Sequence, residues 1–346
     1  MLFFANDYSG GAHPIVLKAL CDSNDDLLPG YCSDRFCEEA TDIIRQLCGK
    51  EKADVFFFPG GTAANKTVIG SLLTDNQGVV CASTGHINTH EAGAVEMTGH
   101  RIIPLVQESG KISADCLTVY LNDFNADPNN VQMVEPAMVY ISCPTEFGTL
   151  YSLSEIQGIS DVCRQNGMYL YMDGARLGYG LASPSVDFSL EDISELCDIF
   201  YIGGTKMGAL CGEAVVFPKG NAPKRFKTIM KQHGGLFAKG RLPGVQFCAL
   251  LRDSFFIDIC KPAVENAILL GNWLESNGYR LLCRVQTNQV FVVLDDRSAS
   301  ELAKEVEYRF WYRLDKDHIV ARFVTSWETK RADVESLIKF LALRKS

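Results

Sequence analysis

Short apolar runs alternate with helical stretches from residue 55 to residue 217, and this alternation constrains the fold more than any other feature. The runs lie at 55–59, 78–83, 101–106, 137–143, 169–172, 198–202 and 213–217. Several are continuous, which is typical of strands buried on both faces. Strands that alternate with helices favour an α/β fold around a mainly parallel, seven-stranded sheet.

Helical spacing of apolar residues predicts the elements between and around these strands. Helices are expected at 14–21, 34–48, 62–73, 113–126 and 153–166. Ser152 and Glu155 have the spacing of a capping box, which marks the start of the last of these helices.

The pattern changes near residue 245 and predicts a smaller α+β unit. A long helix should run from about 245 through the 270s with a break at Pro262, followed by strands at 289–294 and 319–325 and helices at 299–307 and 331–343. A chain of 346 residues is too long for one small core. We therefore expect an N-terminal arm at 1–30, a large α/β domain at 31–245 and a small α+β domain at 246–346.

Charge and cysteine content narrow the class of protein. The net charge of −9, from 33 Lys and Arg against 42 Asp and Glu, comes without a basic stripe and argues against a nucleic-acid partner. No apolar run approaches the ~18 residues that a membrane helix needs, and the N-terminus lacks the features of a signal peptide. The 13 cysteines show no metal-type spacing and no even count, so we expect a reducing, cytoplasmic location and no metal site.

Polar and glycine residues follow the predicted strands at the points where they end. They are Gly60, Gly61 and Thr62, then His86, then Thr145 and Glu146, then Asp173 and Arg176, and finally Lys206. In an open α/β sheet, ligands bind beyond the carboxyl ends of the strands. This clustering predicts a small-molecule site at that edge.

The glycines after the first strand suit an anion. Gly60 and Gly61 let the backbone approach a phosphate, and the first N–H groups of the next helix point at it. An ordinary turn with Thr62 as N-cap remains the alternative. The loop matches neither GxGxxG nor GxxxxGK[ST], which disfavours a nicotinamide dehydrogenase.

Each of four further residues has two interpretations, one chemical and one structural. Asp173 can hold a protonated pyridine nitrogen or serve as a helix cap. Lys206 can form an imine if burial lowers its pKa, or lie at the surface. His86 can lie flat on an aromatic ligand or cap a loop. Arg322, within a strand, needs an anionic partner, either a substrate carboxylate or an acidic side chain.

Four segments together resemble a known family. FFFPGGTAAN, GHINTHEAGA, LYMDGARLGYGL and YIGGTKMGA occur in the order found in the threonine aldolase/β-eliminating lyase family of pyridoxal-phosphate (PLP) enzymes of fold type I. The resemblance covers nearly the whole chain. It implies an aspartate-aminotransferase-like α/β fold and PLP as cofactor.

The resemblance implies that most of the strand-end residues hold PLP. Lys206 would form the Schiff base, and Asp173 would pair with the pyridine nitrogen. His86 would stack on the ring, and Arg176 would lie near the phenolic oxygen. The phosphate contacts are implied for Gly60, Gly61 and Thr62.

Other residues match the family's substrate contacts. Arg322 resembles the arginine that binds the substrate carboxylate, and Tyr31 the tyrosine near the substrate. Asn6, followed by Asp7, stands where the family has Ser-Asp. Arg241 is similar to an arginine that reaches the phosphate of a neighbouring subunit, which implies a homotetramer or homodimer with shared active sites.

One departure concerns the substrate. Many members of the family have Thr-His after the fourth strand, whereas this chain has Thr145 and Glu146; a similar pair occurs in phenylserine-aldolase-like relatives. The resemblance implies cleavage of a β-hydroxy-α-amino acid to glycine and an aldehyde, with Glu146 or His86 as the base. The alternatives are β-elimination from a serine- or cysteine-type substrate, and a non-catalytic protein that binds a phosphorylated ligand.

Overall fold

The strands of this computed structural model, which describes residues 1–343, divide among three sheets. In chain order they are β1 (Leu2–Phe3), β2 (Asp54–Phe58), β3 (Gln77–Ala82), β4 (Arg101–Leu105), β5 (Glu135–Ser142), β6 (Tyr169–Asp173), β7 (Ile199–Gly203), β8 (Glu213–Phe217), β9 (Gln289–Asp295), β10 (Val306–Glu307), β11 (Arg309–Arg313) and β12 (His318–Val324).

The largest sheet has seven strands in the order β2-β8-β7-β6-β5-β3-β4. Neighbouring strands run parallel from β7 to β4. Strand β8 is antiparallel to both β2 and β7. This arrangement confirms the predicted mainly parallel, seven-stranded sheet, and the predicted strand bounds differ from the observed ones by a few residues at most.

Helices connect these strands and cover the sheet. They are α1 (Pro14–Asp22), α2 (Arg35–Leu47), α3 (Gly61–Leu72), α4 (His86–Thr89), α5 (Ala114–Ala126), α6 (Leu153–Gln165), α7 (Leu177–Leu181), α8 (Leu190–Leu196), α9 (Phe226–Gln232), α10 (Arg241–Leu251), α11 (Phe255–Asp258), α12 (Lys261–Ser276), α13 (Asp296–Leu302) and α14 (Arg331–Ala342). Ser152 and Glu155 form the predicted capping box at the start of α6.

Apolar clusters bury both faces of the large sheet. Ile44 of α2, Ile156 of α6 and Leu250 of α10 belong to the cluster on one face. Val68 of α3 and Met230 of α9 belong to the cluster on the other. Because both faces are covered, the ends of the strands are the part of the sheet left for a ligand.

A third cluster surrounds the antiparallel sheet β11-β12-β9. It contains Leu274 of α12, Val292 of β9 and Leu337 of α14, and also Phe4 from the N-terminal segment. Strand β1 pairs in parallel with β10, so the first residues of the chain pack against its last third. The division of the chain at residues 30 and 245 stays a prediction.

Two sequence predictions in the C-terminal part were wrong. The expected helix at 299–307 ends at Leu302 as α13, and the chain continues as β10 and β11, because β1 and β12 supply strand partners that are distant in sequence. The long helix expected from 245 breaks before α12 and not at Pro262. Asp253 has a φ of 53°, and Pro262 lies in the first turn of α12, where proline is tolerated.

Two features are absent from the described residues, a membrane-spanning helix and a cluster of metal-binding side chains. No helix within residues 1–343 is both long and apolar enough to cross a membrane. Within the same residues, no group of three or more His, Cys, Asp or Glu side chains is placed to hold a metal ion.

Candidate active site

The predicted site residues meet at one edge of the large sheet. Asp173 is the last residue of β6, and Lys206 lies in the turn after β7. His86 begins α4 after β3, and Glu146 follows β5. Gly61 begins α3 beyond β2. The strands thus bring these residues to the edge where ligands bind in open α/β sheets.

Asp173 is buried, and its carboxylate accepts hydrogen bonds from three side chains. Tyr201 Oη donates to Oδ1 and Tyr140 Oη to Oδ2, both at 2.5 Å, and the Asn65 amide donates to Oδ2 at 3.1 Å. Burial raises the pKa of this carboxyl, but the charge of His86 and the two tyrosine hydroxyls outweigh it, and the net pKa is lowered. Asp173 is therefore held ionised, which suits a protonated ring nitrogen.

Asn65 links Asp173 to His86 through a second buried carboxylate. Its Nδ2 lies 3.1 Å from Asp173 Oδ2 and 2.7 Å from Glu91 Oε1. The same Glu91 oxygen lies 2.8 Å from His86 Nδ1. Tyr171 donates to Asn65 Oδ1 at 2.7 Å, which fixes the orientation of the amide. This path of hydrogen bonds orients the His86 ring relative to Asp173.

Glu146 is a buried carboxyl beside His86. Its Oε1 accepts from the backbone N–H of His86 at 2.8 Å and from Ser142 Oγ at 2.6 Å. Burial raises its pKa, and the hydrogen bond from Ser142 opposes this only in part, so the net pKa is raised. A carboxyl that titrates nearer to neutrality than an exposed glutamate can exchange a proton with a substrate.

Lys206 lies among buried charges. Burial and the charge of Arg176 lower the pKa of its amine. Glu213 accepts from the backbone N–H of Gly204 at 3.0 Å and from the Thr205 hydroxyl at 2.8 Å, which fixes the two residues that precede the lysine. Burial raises the pKa of Glu213 to about 8.

Arg176 binds Asp7 of the N-terminal segment through two hydrogen bonds. Nε lies 2.6 Å from Oδ2, and Nη2 lies 2.9 Å from Oδ1. The Asn288 amide also donates to Oδ2, at 2.9 Å. Burial raises the pKa of Asp7, but the charges of Arg176 and Lys206 outweigh it, and the net pKa is lowered. The ion pair ties the N-terminal segment to the turn after β6.

The turn between β2 and α3 forms a place for an anion. Gly60, rather than Thr62, is the N-cap residue, and it offers no side chain to the free N–H groups of the first turn. A Cβ on Gly61 would lie 2.7 Å from the hydroxyl of Tyr201, so a larger residue does not fit there. Helix N–H groups left without a cap can bind phosphate.

Arg322 on β12 is buried, and its hydrogen bonds are long and made to uncharged groups. Nη1 lies 3.3 Å from Gln289 Oε1, and Nη2 lies 3.5 Å from the carbonyl oxygen of Ala5. Nε has no hydrogen-bond partner among residues 1–343. The guanidinium carbon lies 4.9 Å from the centre of the Trp311 ring. Burial lowers the pKa of Arg322 to about 10, which still leaves a cation suited to a carboxylate.

Three predicted residues make their contacts elsewhere. Lys231 Nζ lies 4.8 Å from the ring centre of the exposed Tyr31. Arg241 donates to three backbone carbonyl oxygens within 23–26, just after α1. Asn6 Oδ1 accepts from residues 8 and 9 of its own segment. Within one chain, Tyr31 thus contacts Lys231, and Arg241 contacts the backbone after α1, rather than the residues around Asp173.

Sequence reasoning missed five residues that organise the site, namely Asn65, Glu91, Tyr140, Tyr201 and Glu213. Two of them lie inside the segments GGTAAN and HEAGA, Asn65 three residues after Thr62 and Glu91 five residues after His86. The two tyrosines lie within apolar runs, and a hydroxyl in a buried strand needs a polar partner. That need was the available signal for both.

The match to a family model shows the family of the chain. Residues 24–297, more than half of the chain, match the model of the family described as beta-eliminating lyase. The chain belongs to the beta-eliminating lyase family. The resemblance found in the sequence is thereby confirmed.

Two individual proteins that are similar to this chain agree with the family assignment. The chain is 29% identical to the low specificity L-threonine aldolase of Pseudomonas aeruginosa over 343 residues, which are 98% of the chain and 97% of that protein. The structure of Leishmania major threonine aldolase is 35% identical, with a TM-score of 0.96 over 100% of both chains.

A more distant structure supports the fold alone. A double mutant of Thermus thermophilus aspartate aminotransferase is 13% identical, with a TM-score of 0.71 over 99% of this chain and 91% of that one. Together with the Leishmania structure, it confirms the predicted α/β, aspartate-aminotransferase-like fold of type I.

Proposed function

We propose that the protein is a PLP-dependent carbon–carbon lyase. It cleaves a β-hydroxy-α-amino acid of the L-threonine, L-allo-threonine or phenylserine type to glycine and an aldehyde. The observation that carries the proposal is the sheet-edge arrangement of an ionised Asp173, a Lys206 amine of lowered pKa and an under-partnered Arg322. The printed names of the similar Pseudomonas and Leishmania proteins support the reaction type.

The donor set at the sheet edge fits PLP. Lys206 would bind its aldehyde carbon, Asp173 its ring nitrogen, and the uncapped start of α3 at Gly60, Gly61 and Thr62 its phosphate. His86 would cover the ring, and Arg176 would lie near the phenolic oxygen. When bound, PLP supplies an electron sink for the bond that breaks at Cα.

The chain's own groups would act on the substrate around that ring. Arg322 binds the carboxylate, since its Nε is unpaired and its other contacts are long. Glu146 or His86 accepts the proton of the β-hydroxyl, directly or through a water. Lys206 is more readily a free base than an exposed lysine because its pKa is lowered.

The same proposal includes assembly and location. Tyr31 and Arg241 do not reach the site of their own chain. The family resemblance implies that Arg241 reaches the phosphate of a neighbouring subunit. We therefore propose a homotetramer or homodimer with shared active sites. All 13 cysteines are free thiols, which supports a cytoplasmic location.

Product analysis tests the reaction. Purified protein with added PLP is incubated with L-threonine and with phenylserine, and the Lys206→Ala variant is the control. Glycine and the matching aldehyde in equal amounts, absent with the variant, would support the proposal. A keto acid with ammonia would indicate β-elimination, and absence of turnover would favour a binding protein; either would overturn it.

A further inference from the structure

Cys32 and Cys37, two of the 13 cysteines, share one hydrogen-bond acceptor. The thiol of Cys32 donates to the carbonyl oxygen of Gly240 at 3.5 Å, and the thiol of Cys37 donates to the same oxygen at 3.1 Å. Cys37 lies in the first turns of α2, and Cys32 lies in the loop before it. The shared acceptor holds the two sulfur atoms side by side.

The two thiols differ in burial and in acidity. Cys32 is half-buried, and hydrogen bonding with Cys37 lowers its pKa. Cys37 is buried, and hydrogen bonding with Cys32, together with burial, raises its pKa. An accessible, more acidic thiol beside a buried one is the arrangement in which the first reacts with an oxidant and the second resolves the product.

A cavity gives a small oxidant room beside the pair. It has a volume of about 390 Å³, and its lining includes Cys32, Cys37 and Lys227. A water molecule takes up roughly 30 Å³ in the liquid, so a hydroperoxide only a few atoms larger fits easily. The charge of Lys227 also lowers the pKa of Cys32, which favours the reactive thiolate.

We propose that Cys32 and Cys37 form a redox-active dithiol that a hydroperoxide converts to a disulfide. The Cys32 thiolate attacks a peroxide oxygen, the O–O bond breaks, and the released oxygen takes a proton to give water or an alcohol. The Cys37 sulfur then attacks the Cys32 sulfenic acid, the S–O bond breaks, and the hydroxide leaves with the Cys37 proton as water. Two thiols lose two electrons, which reduce the peroxide.

The backbone around Gly240 is the part of the structure that this reaction touches. A Cβ on Gly240 would lie 1.8 Å from the backbone nitrogen of Cys32, so the two segments are in close contact. The disulfide removes both S–H donors from the Gly240 oxygen. Arg241, which follows directly, donates to the carbonyl oxygens after α1.

Peptide mapping of the PLP-loaded, full-length protein tests the proposal. The protein is treated with one equivalent of hydrogen peroxide, free thiols are alkylated, and trypsin cuts at Arg35 between the two cysteines. We expect a linked pair of peptides covering 19–35 and 36–45, lighter by two hydrogens and separated by dithiothreitol. If both cysteines are alkylated while other cysteines are oxidised, the proposal is wrong.

Two variants make the test specific. Cys37→Ser should stop the reaction at a Cys32 sulfenic acid, which dimedone traps; a crosslink that persists in this variant would contradict the proposal. Cys21→Ser removes an exposed thiol from the same 19–35 peptide and should leave the crosslink in place. Loss of the crosslink in Cys21→Ser would assign it to Cys21 instead. The readout is a mass, so it does not depend on the proposed reaction.

Discussion

Asp7 and Arg176 form a buried, bidentate ion pair that joins the N-terminal segment to the turn after β6. The Nε–Oδ2 and Nη2–Oδ1 distances are 2.6 and 2.9 Å. The side chain of Asp7 is 0% exposed and that of Arg176 13% exposed. Solvent therefore screens the pair little, and each charge depends on the other.

Asp7→Asn should destabilise the fold strongly because it leaves the Arg176 charge buried without a counter-ion. We expect the free energy of unfolding to fall by roughly 3–5 kcal/mol, measured by urea denaturation. Asp123→Asn, at an exposed position of α5, is the matched control and should change little. Equal effects of the two variants would contradict this account of the pair.

The same measurement has a defined pH dependence. Neighbouring charges hold the pKa of Asp7 below its ordinary value of 3.8, so its stabilising effect is complete above that pH and is lost as pH falls through the folded-state pKa. The stability difference between the wild-type protein and Asp7→Asn should therefore be constant from about pH 7 to about pH 5 and shrink as the pH falls below about 4.

Glu213→Gln should remove a pH dependence of folding stability whose sign is opposite to that caused by Asp7. Burial raises the pKa of Glu213 to about 8, so the folded protein keeps a proton that the unfolded chain loses above an ordinary value of 4.5. Folding stability should fall as pH rises through that window. As the pH rises from about 5 to about 9, the free energy of unfolding of Glu213→Gln should increase by more than about 1 kcal/mol relative to that of the wild-type protein. Glu275→Gln, at an exposed position of α12, should show no such change.

Glu146→Gln should lower kcat for phenylserine by about 10²–10⁴-fold if Glu146 is the base. A base must be ionised, so activity falls as pH drops through its pKa, and burial places that fall above the ordinary 4.5. Ser142→Ala removes a hydrogen bond that lowers this pKa and should move the fall to higher pH. An unchanged pH profile in Glu146→Gln would leave His86 as the candidate base.

Arg322→Leu should weaken amino-acid binding without releasing PLP. Losing one partner of a buried charged pair costs about 2–5 kcal/mol, so KM should rise by about 30-fold or more. The visible absorbance of bound PLP should be unchanged. Arg297→Leu, at an exposed position of α13, is the control. A KM that stays at the wild-type value would remove Arg322 from the substrate site.

The large sheet could be predicted because its strands are short apolar runs bounded by glycine and polar residues. Asp173 and Lys206 could be placed at its edge because Asp173 directly follows one such run and Lys206 follows another after a short Gly-Gly-Thr turn. The strand β10 could not be predicted, since its partner β1 lies at the other end of the chain.

The connections among site residues depended on contacts that local sequence does not show. Asn65 bonds to both Glu91 and Asp173, and these three residues lie in separate segments. The Asp7 partner of Arg176 lies in the N-terminal arm, where the sequence shows no periodic pattern. Such pairs follow from the path of the chain through the fold.

Borohydride trapping tests the central claim, that Lys206 binds PLP covalently at this sheet edge. The purified protein is mixed with PLP, reduced with borohydride, digested and analysed by mass spectrometry. We predict one reduced PLP adduct, located on Lys206 and missing from Lys206→Ala. An adduct spread over exposed lysines, or a protein that takes up no PLP, would contradict the account.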